Sequence, residues 1–181
     1  MGYFTSLISR RRSTRRFTGE ALLPEEVECV LKAALMAPSS KGACSWQFVA
    51  VEDKKMLKQL AGCKKAGAGF IEHCALAVVV TGDTAETDVW IEDAAVASIY
   101  MQLEAEDLGL GSCWCQVRNR LTGDGGDAEQ YVRNLLGIPS RFGVLSIIGI
   151  GRKDQVRKPV DETQLRWEKV HTDGWKVENG V

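Results

Sequence analysis

A chain of 181 residues, 45% apolar and 26% charged, is long enough for one domain with a real core and has the composition of a soluble globular protein. Lys plus Arg number 23 and Asp plus Glu 24, a net charge of −1, which argues against a nucleic-acid binder, since such proteins are usually basic overall. The longest apolar run, residues 75–80, is far too short to span a bilayer, and the opening residues show no charged-then-apolar pattern that would predict a secretory signal.

Phe4, Leu7, Ile8 and Arg11 fall at helical spacing and predict a short helix over residues 3 to about 10. It runs into Arg10-Arg11-Arg12-Ser13-Thr14-Arg15-Arg16-Phe17, where five of eight residues are arginine. Basic residues suit the negative end of a helix dipole. Clustered guanidiniums repel one another, so they need an anion nearby or full exposure to water. Arginine is suited to planar, bidentate recognition of phosphate and carboxylate, and Ser13 adds a small hydroxyl donor. The segment predicts either a site for a phosphate-bearing ligand or a solvated basic turn.

Pro24-Glu25-Glu26 opens a second helix, with proline at its first position and acids in its first turn. Val27, Val30, Leu31, Ala34 and Leu35 are its predicted buried stripe, and Pro38 ends it. Residues 39–45 are small and polar, hence a loop, and residues 46–51 read as a strand. Asp53 caps a helix that runs through Leu60 and stops at Gly62. Residues 64–69 are Gly-rich. The apolar run at 75–80 predicts a strand covered on both faces. The longest helix is predicted from about Asp88 to Leu108, apolar round most of its circumference, and therefore buried at a domain centre or a subunit interface. Gly109 stops it, and Gly111 to Cys115 turns into a strand. A turn at residues 123–126, a helix from Asp127 to Leu136 closed by Gly137, and a core strand at 144–150 complete the fold. The tail is charged but holds Leu165, Trp167, Val170 and Trp175, which predicts that it packs on something.

Familiar catalytic patterns are missing. Gly109-Leu110-Gly111-Ser112 follows a helix and lacks the third glycine of a dinucleotide fingerprint; Gly149-Ile150-Gly151 opens no apolar helix. Cys113 and Cys115 lack zinc or redox spacing, so they read as strand cysteines. His73 and His171 have no triad context, and Asp124 and Asp127 are too few acids for a calcium loop. Six cysteines without a disulfide framework predict reduced thiols and a cytoplasmic location. A chain with no evident nucleophile, metal cage or acid/base pair suits an enzyme whose cofactor carries the chemistry.

Four motifs in register, across nearly the whole chain, resemble the nitroreductase family of FMN-dependent oxidoreductases. Arg11-Arg12-Ser13-Thr14-Arg15-x-Phe17 is similar to its opening, and Ala37-Pro38-Ser39-Ser40 followed by Trp46 and Phe48 to its second motif. Leu108-Gly109-Leu110-Gly111-Ser112-Cys113-Trp114 is similar to its third, and Gly149-x-Gly151 with Arg157-Lys158-Pro159 to the ending of compact members. The resemblance implies an α+β fold with a mostly antiparallel central sheet flanked by helices. It also implies an intertwined homodimer with FMN at the interface, formed by one domain over residues 1–181 whose extension, residues 152–181, packs on the partner subunit. The activity implied is ping-pong hydride transfer from NAD(P)H through FMN to a small-molecule acceptor, a nitroaromatic, quinone or similar compound, with no nucleic-acid or membrane partner. By the same resemblance, Arg11, Arg12 and Ser13 meet the FMN phosphate or the edge of its ring, and Arg15 lies near the flavin N1/O2 edge as an electrostatic tuner. Ser39 and Ser40, beside Pro38 and Gly42, reach the partner subunit's flavin. Backbone at Gly111 and Ser112 lies near N5, and Arg157 or Lys158 closes on the phosphate. The sequence departs from the family where Gly42, Cys44 and Ser45 replace Asn, Gln and Pro, removing two amides. A non-catalytic flavin-binding protein, or one specialised for reductive dehalogenation or flavin fragmentation, is the alternative reading.

Overall fold

The computed structural model describes residues 2–175; residue 1 and residues 176–181, the last part of the predicted extension, lie outside the described residues. Its centre is one antiparallel sheet of β1 (Trp46–Val51), β2 (Leu76–Asp83), β3 (Gly111–Gln116) and β4 (Phe142–Gly151), in the order β1-β2-β4-β3. Every residue of β2 and of β4 is buried. Strand alternation sends Leu76, Val78, Val80, Ile148 and Ile150 to one face, where α2 (Pro24–Leu35) and α4 (Trp90–Asp107) cover them. Ala77, Val79 and Ile147 go to the other, against α3 (Lys54–Ala61), α5 (Ala128–Leu136) and the short turn carrying Phe70 and Ile71. Three layers result, with the sheet in the middle, as a strand apolar on both faces requires.

Local signals set most boundaries. The first helix, α1, covers Tyr3–Arg10, so Arg10 is its only helical arginine and the other four lie in extended chain beyond it. Pro24 starts α2, and the Glu26 carboxylate accepts the Leu23 N–H at 2.8 Å. Asp53 and Asp127 cap α3 and α5 by accepting N–H bonds from Met56 and Gln130 at 2.8 and 2.7 Å. Gly137, at φ 68°, ends α5 in the left-handed region. Asp127→Ala is expected to cost about 1 kcal/mol of stability, read as a lower midpoint in chemical denaturation.

Two expectations need correction. Leu35, expected in the buried stripe of the second helix, is 59% exposed. The long helix, expected from about Asp88, runs from Trp90, after the Thr87 hydroxyl takes up the Val89 N–H in a local turn. Its buried face is also not purely apolar: Asp93, Ser98, Gln102 and Glu106 are all buried on it. Each has a hydrogen-bond or ion-pair partner, two of them supplied by distant segments, which apolar periodicity cannot register.

Candidate functional site

The arginine segment leaves α1 and lies along the edge of β3. Ser13 pairs in parallel with Ser112, and the Thr14 N–H donates to the Ser112 carbonyl at 2.9 Å. Gly111 permits this approach: a Cβ there would stand 2.7 Å from Thr14 Cγ2 and 3.0 Å from Lys153 Cγ. Further along, Phe17 pairs with Lys153, and the Thr18 N–H donates to the Arg152 carbonyl at 3.1 Å. Two ion pairs fix the chain just beyond β4. Arg152 grips Glu26 through two nitrogens, each at 2.9 Å, and Lys153 meets both oxygens of the buried Glu106 at 2.9 Å. The arginines are therefore mounted on a rigid edge.

Extended chain turns successive side chains to opposite sides. Arg11, Ser13 and Arg15 act together on the Cys113 thiol of β3. Burial pushes that thiol up, while the charge of Arg15, a hydrogen bond with Ser13 and the charge of Arg11 pull it down. Arg12 and Thr14 face the other way, into a cleft of about 190 Å³ that Arg10, Lys153 and Arg157 also line. Arg12 donates there to the Lys158 carbonyl at 2.8 Å. The structure thus separates Arg11, Ser13 and Arg15 from Arg12 and Arg157, residues that the sequence reading placed on one ligand. Among the described residues neither Arg11 nor Arg15 makes a salt bridge, whereas Arg16 pairs with Asp154 at 2.8 Å.

Gly111 and Ser112 are buried and joined to Gly151 and Ile150 in the sheet, so their shown work is to seat the arginine segment. Pro38, Ser39, Ser40 and Gly42 are elsewhere. Their loop lies by the start of α4, where the Ser40 N–H donates to Asp93 at 2.8 Å. Lys41, Gly42 and Cys44 have φ of 53°, 68° and 49°. Glu106, beside the arginine segment, is near the other end of the helix, and the rise between it and Asp93 is about 20 Å. In one chain, therefore, the serine loop and the arginine face are at opposite ends of α4.

Sequence reasoning missed Thr14, Cys113, Asp93 and the Glu106–Lys153 pair. Their partners come from other elements, and no spacing signals them. Arg11 and Arg15 on one face, without a salt bridge among the described residues and beside a hydroxyl, form a donor set that fits an anionic ligand.

Comparison with known proteins agrees with this architecture. A solved structure described as an FMN-dependent nitroreductase from Clostridium difficile R20291 superposes with a TM-score of 0.92 at 42% identity, covering 94% of this chain and 99% of that one. A protein of Archaeoglobus fulgidus, provisionally named an NADH dehydrogenase/NAD(P)H nitroreductase, is 30% identical over 93% of this chain and 97% of its own length. An FMN reductase (NADPH) of Bacillus subtilis is 31% identical over 63% of this chain and 54% of its own. The family model described as "Nitroreductase family" matches residues 8–152, and with these neighbours it establishes that the chain belongs to the nitroreductase family.

Proposed function

We propose that this protein is an FMN-dependent NAD(P)H oxidoreductase acting as a homodimer. The observation that carries the proposal is the Arg11–Ser13–Arg15 face, two guanidiniums without acidic partners among the described residues, beside a hydroxyl, on a rigid sheet edge. The names of the Clostridium difficile and Bacillus subtilis relatives support FMN, and the latter also NADPH. Bound FMN would supply the hydride chemistry, taking two electrons from NAD(P)H and passing them to a nitroaromatic, quinone or similar acceptor in ping-pong order. Arg11 and Ser13 would hold its phosphate; Arg12, Arg157 and Lys158, gathered at the opposite cleft, are left out of that role. A fixed guanidinium such as Arg15 stabilises negative charge that appears on reduction, without being a proton donor in the reaction. Gly111 and Ser112 would keep the arginine segment in place. The cytoplasm, with reduced thiols, is the proposed location.

The homodimer reading rests on two features. Apolar side chains remain on the surface: Tyr3 and Phe4 on α1, Leu35 and Met36 at the end of α2, and Val156, Trp167 and Trp175 in the tail, with Trp167 70% and Trp175 81% exposed. The serine loop, with Pro38, Ser39, Ser40 and Gly42, is also too far along α4 to share a ligand with the arginines of its own chain. A second copy would cover the tail and bring that loop to the flavin. We therefore take the chain as one domain, with the segment from residue 152 packing on the partner subunit. Light scattering is expected to show a dimer, and removing the segment after Arg152 is expected to lower thermal stability and flavin retention together. A monomer that retains FMN tightly would contradict this arrangement.

The direct test is the absorption spectrum of the purified protein, followed by anaerobic titration with NADH and NADPH. A flavin spectrum that bleaches with either donor is expected. A colourless protein that gains no flavin spectrum when FMN is added overturns the proposal. The amide-free loop at Gly42, Cys44 and Ser45 favours one second reading, a flavin protein of different specialisation. Bound flavin without NAD(P)H oxidation in the presence of nitroaromatics or quinones would select it.

A further inference from the structure

We propose that Asp93 is a positioning residue for the flavin, holding the Ser39–Ser40 backbone from inside α4 so that this loop can meet the flavin bound by the partner subunit's arginine face. The inference rests on the FMN reading above and assigns a role to a buried acid that the reaction itself does not use.

Asp93 is 5% exposed, and its Oδ1 accepts the Ser40 N–H at 2.8 Å across 53 residues of sequence. Its Oδ2 is buried with no partner among the described residues. Nearby, the Ser45 hydroxyl and the Trp46 indole N–H are also buried without partners among the described residues, and Trp46 packs on Ala97, one turn beyond Asp93. A carboxylate retained for stability would have both oxygens satisfied, and apolar replacement of a poorly paired buried charge is often neutral or stabilising. Asp93 is a weak stabilising device at the base of a proposed ligand loop, and sites that break local rules in this way are where function is expected.

The loop needs an external tie. From Ser39 to Cys44 its other bonds are internal: the Gly42 N–H donates to the Ser39 carbonyl, the Ala43 N–H to the Ser40 carbonyl, and the Cys44 N–H to the Ser39 hydroxyl; the next outward bond comes only at Ser45, whose carbonyl accepts the Asp83 N–H at 2.9 Å as the loop enters β1. Lys41 and Cys44, neither of them glycine, hold left-handed φ values, a conformation that persists only where surroundings enforce it. The Asp93 bond joins this self-contained turn to the most buried helix of the fold. It also leaves the Ser40 hydroxyl without a hydrogen bond among the described residues, and so available to a ligand.

The test uses the full chain stripped of flavin and titrated with FMN by fluorescence quenching, alongside thermal unfolding of the FMN-free form and the reduction potential of the loaded form. Asp93→Ala is expected to weaken FMN binding about tenfold, and Asp93→Asn, which keeps an oxygen for the Ser40 N–H, to restore most of that loss. Ser40→Pro removes the donor and leaves Asp93 intact. The residue before it suits a proline, because Ser39 is extended at φ −138°, ψ 159°. Ser40→Pro is expected to weaken binding beyond Ser40→Ala, which removes only the hydroxyl, and it replaces Asp93→Ala should the latter not fold. Equal affinity in wild type and Asp93→Ala overturns the inference, as does a loss that Asp93→Asn does not recover. A lower melting temperature with unchanged FMN affinity marks a structural role only and overturns it too. Wild-type protein that binds no FMN refutes the flavin reading itself, a result separate from any difference among the variants.

Discussion

Arg11→Ala is expected to weaken FMN binding about ten- to hundredfold, the loss of one charge-assisted hydrogen bond at about 1.5–3 kcal/mol. Arg11 makes no salt bridge among the described residues, so nothing in the chain competes for its guanidinium and its removal leaves no orphaned acid. Fold stability is therefore expected to stay near wild type, and saturating FMN to restore most of the activity. Arg15→Ala is expected to differ. In the proposed function, the charge it would meet develops mainly on reduction, so the flavin potential should fall and reduction by NADH should slow even at saturating FMN. Potentiometry and stopped-flow reduction separate the two. A wild-type potential and reduction rate in Arg15→Ala would refute the tuning role, and wild-type FMN affinity in Arg11→Ala would make that residue part of a solvated turn.

The largest effect on stability is expected at Glu106. Its side chain is 8% exposed and takes both of its bonds from Lys153, whose side chain is 23% exposed. Breaking a buried pair from one side costs about 3–5 kcal/mol, because the remaining charge stays desolvated. Glu106→Ala is expected near the lower end of that range, since Lys153 borders the 190 Å³ cleft and can turn toward water. Lys153 also packs where a Cβ on Gly111 would sit and pairs with Phe17. The loss should therefore loosen the arginine segment, and flavin retention should fall with the denaturation midpoint. Glu106→Gln keeps one acceptor and should fall between. An unchanged midpoint in Glu106→Ala would show that the pair is not a structural anchor.

What the sequence determines by itself here is mostly local. Pro24, Asp53, Asp127 and Gly137 mark helix ends because caps and the left-handed stop act within a few residues, and each stands in the structure where the chain implied. The run 75–80 implied a strand covered on both faces because that demand falls on every residue of it, and β2 meets it throughout. The four spaced motifs likewise carried the family resemblance. Only the tertiary structure decides how the arginines divide. Arg11 and Arg12 are chemically alike and adjacent, yet the pairing of Ser13 with Ser112 on β3 turns one toward Cys113 and the other into the opposite cleft. Asp93 and Glu106 read as interruptions of an apolar helix until Ser40 and Lys153 arrive from 53 and 47 residues away. Leu35 and Ile99 keep helical spacing with buried neighbours but stand exposed, because spacing gives a helix a face and leaves its width to whatever packs against it. Caps and periodicity come from interactions along the chain, whereas the pairing of a polar side chain depends on segments that meet only when the sheet has formed.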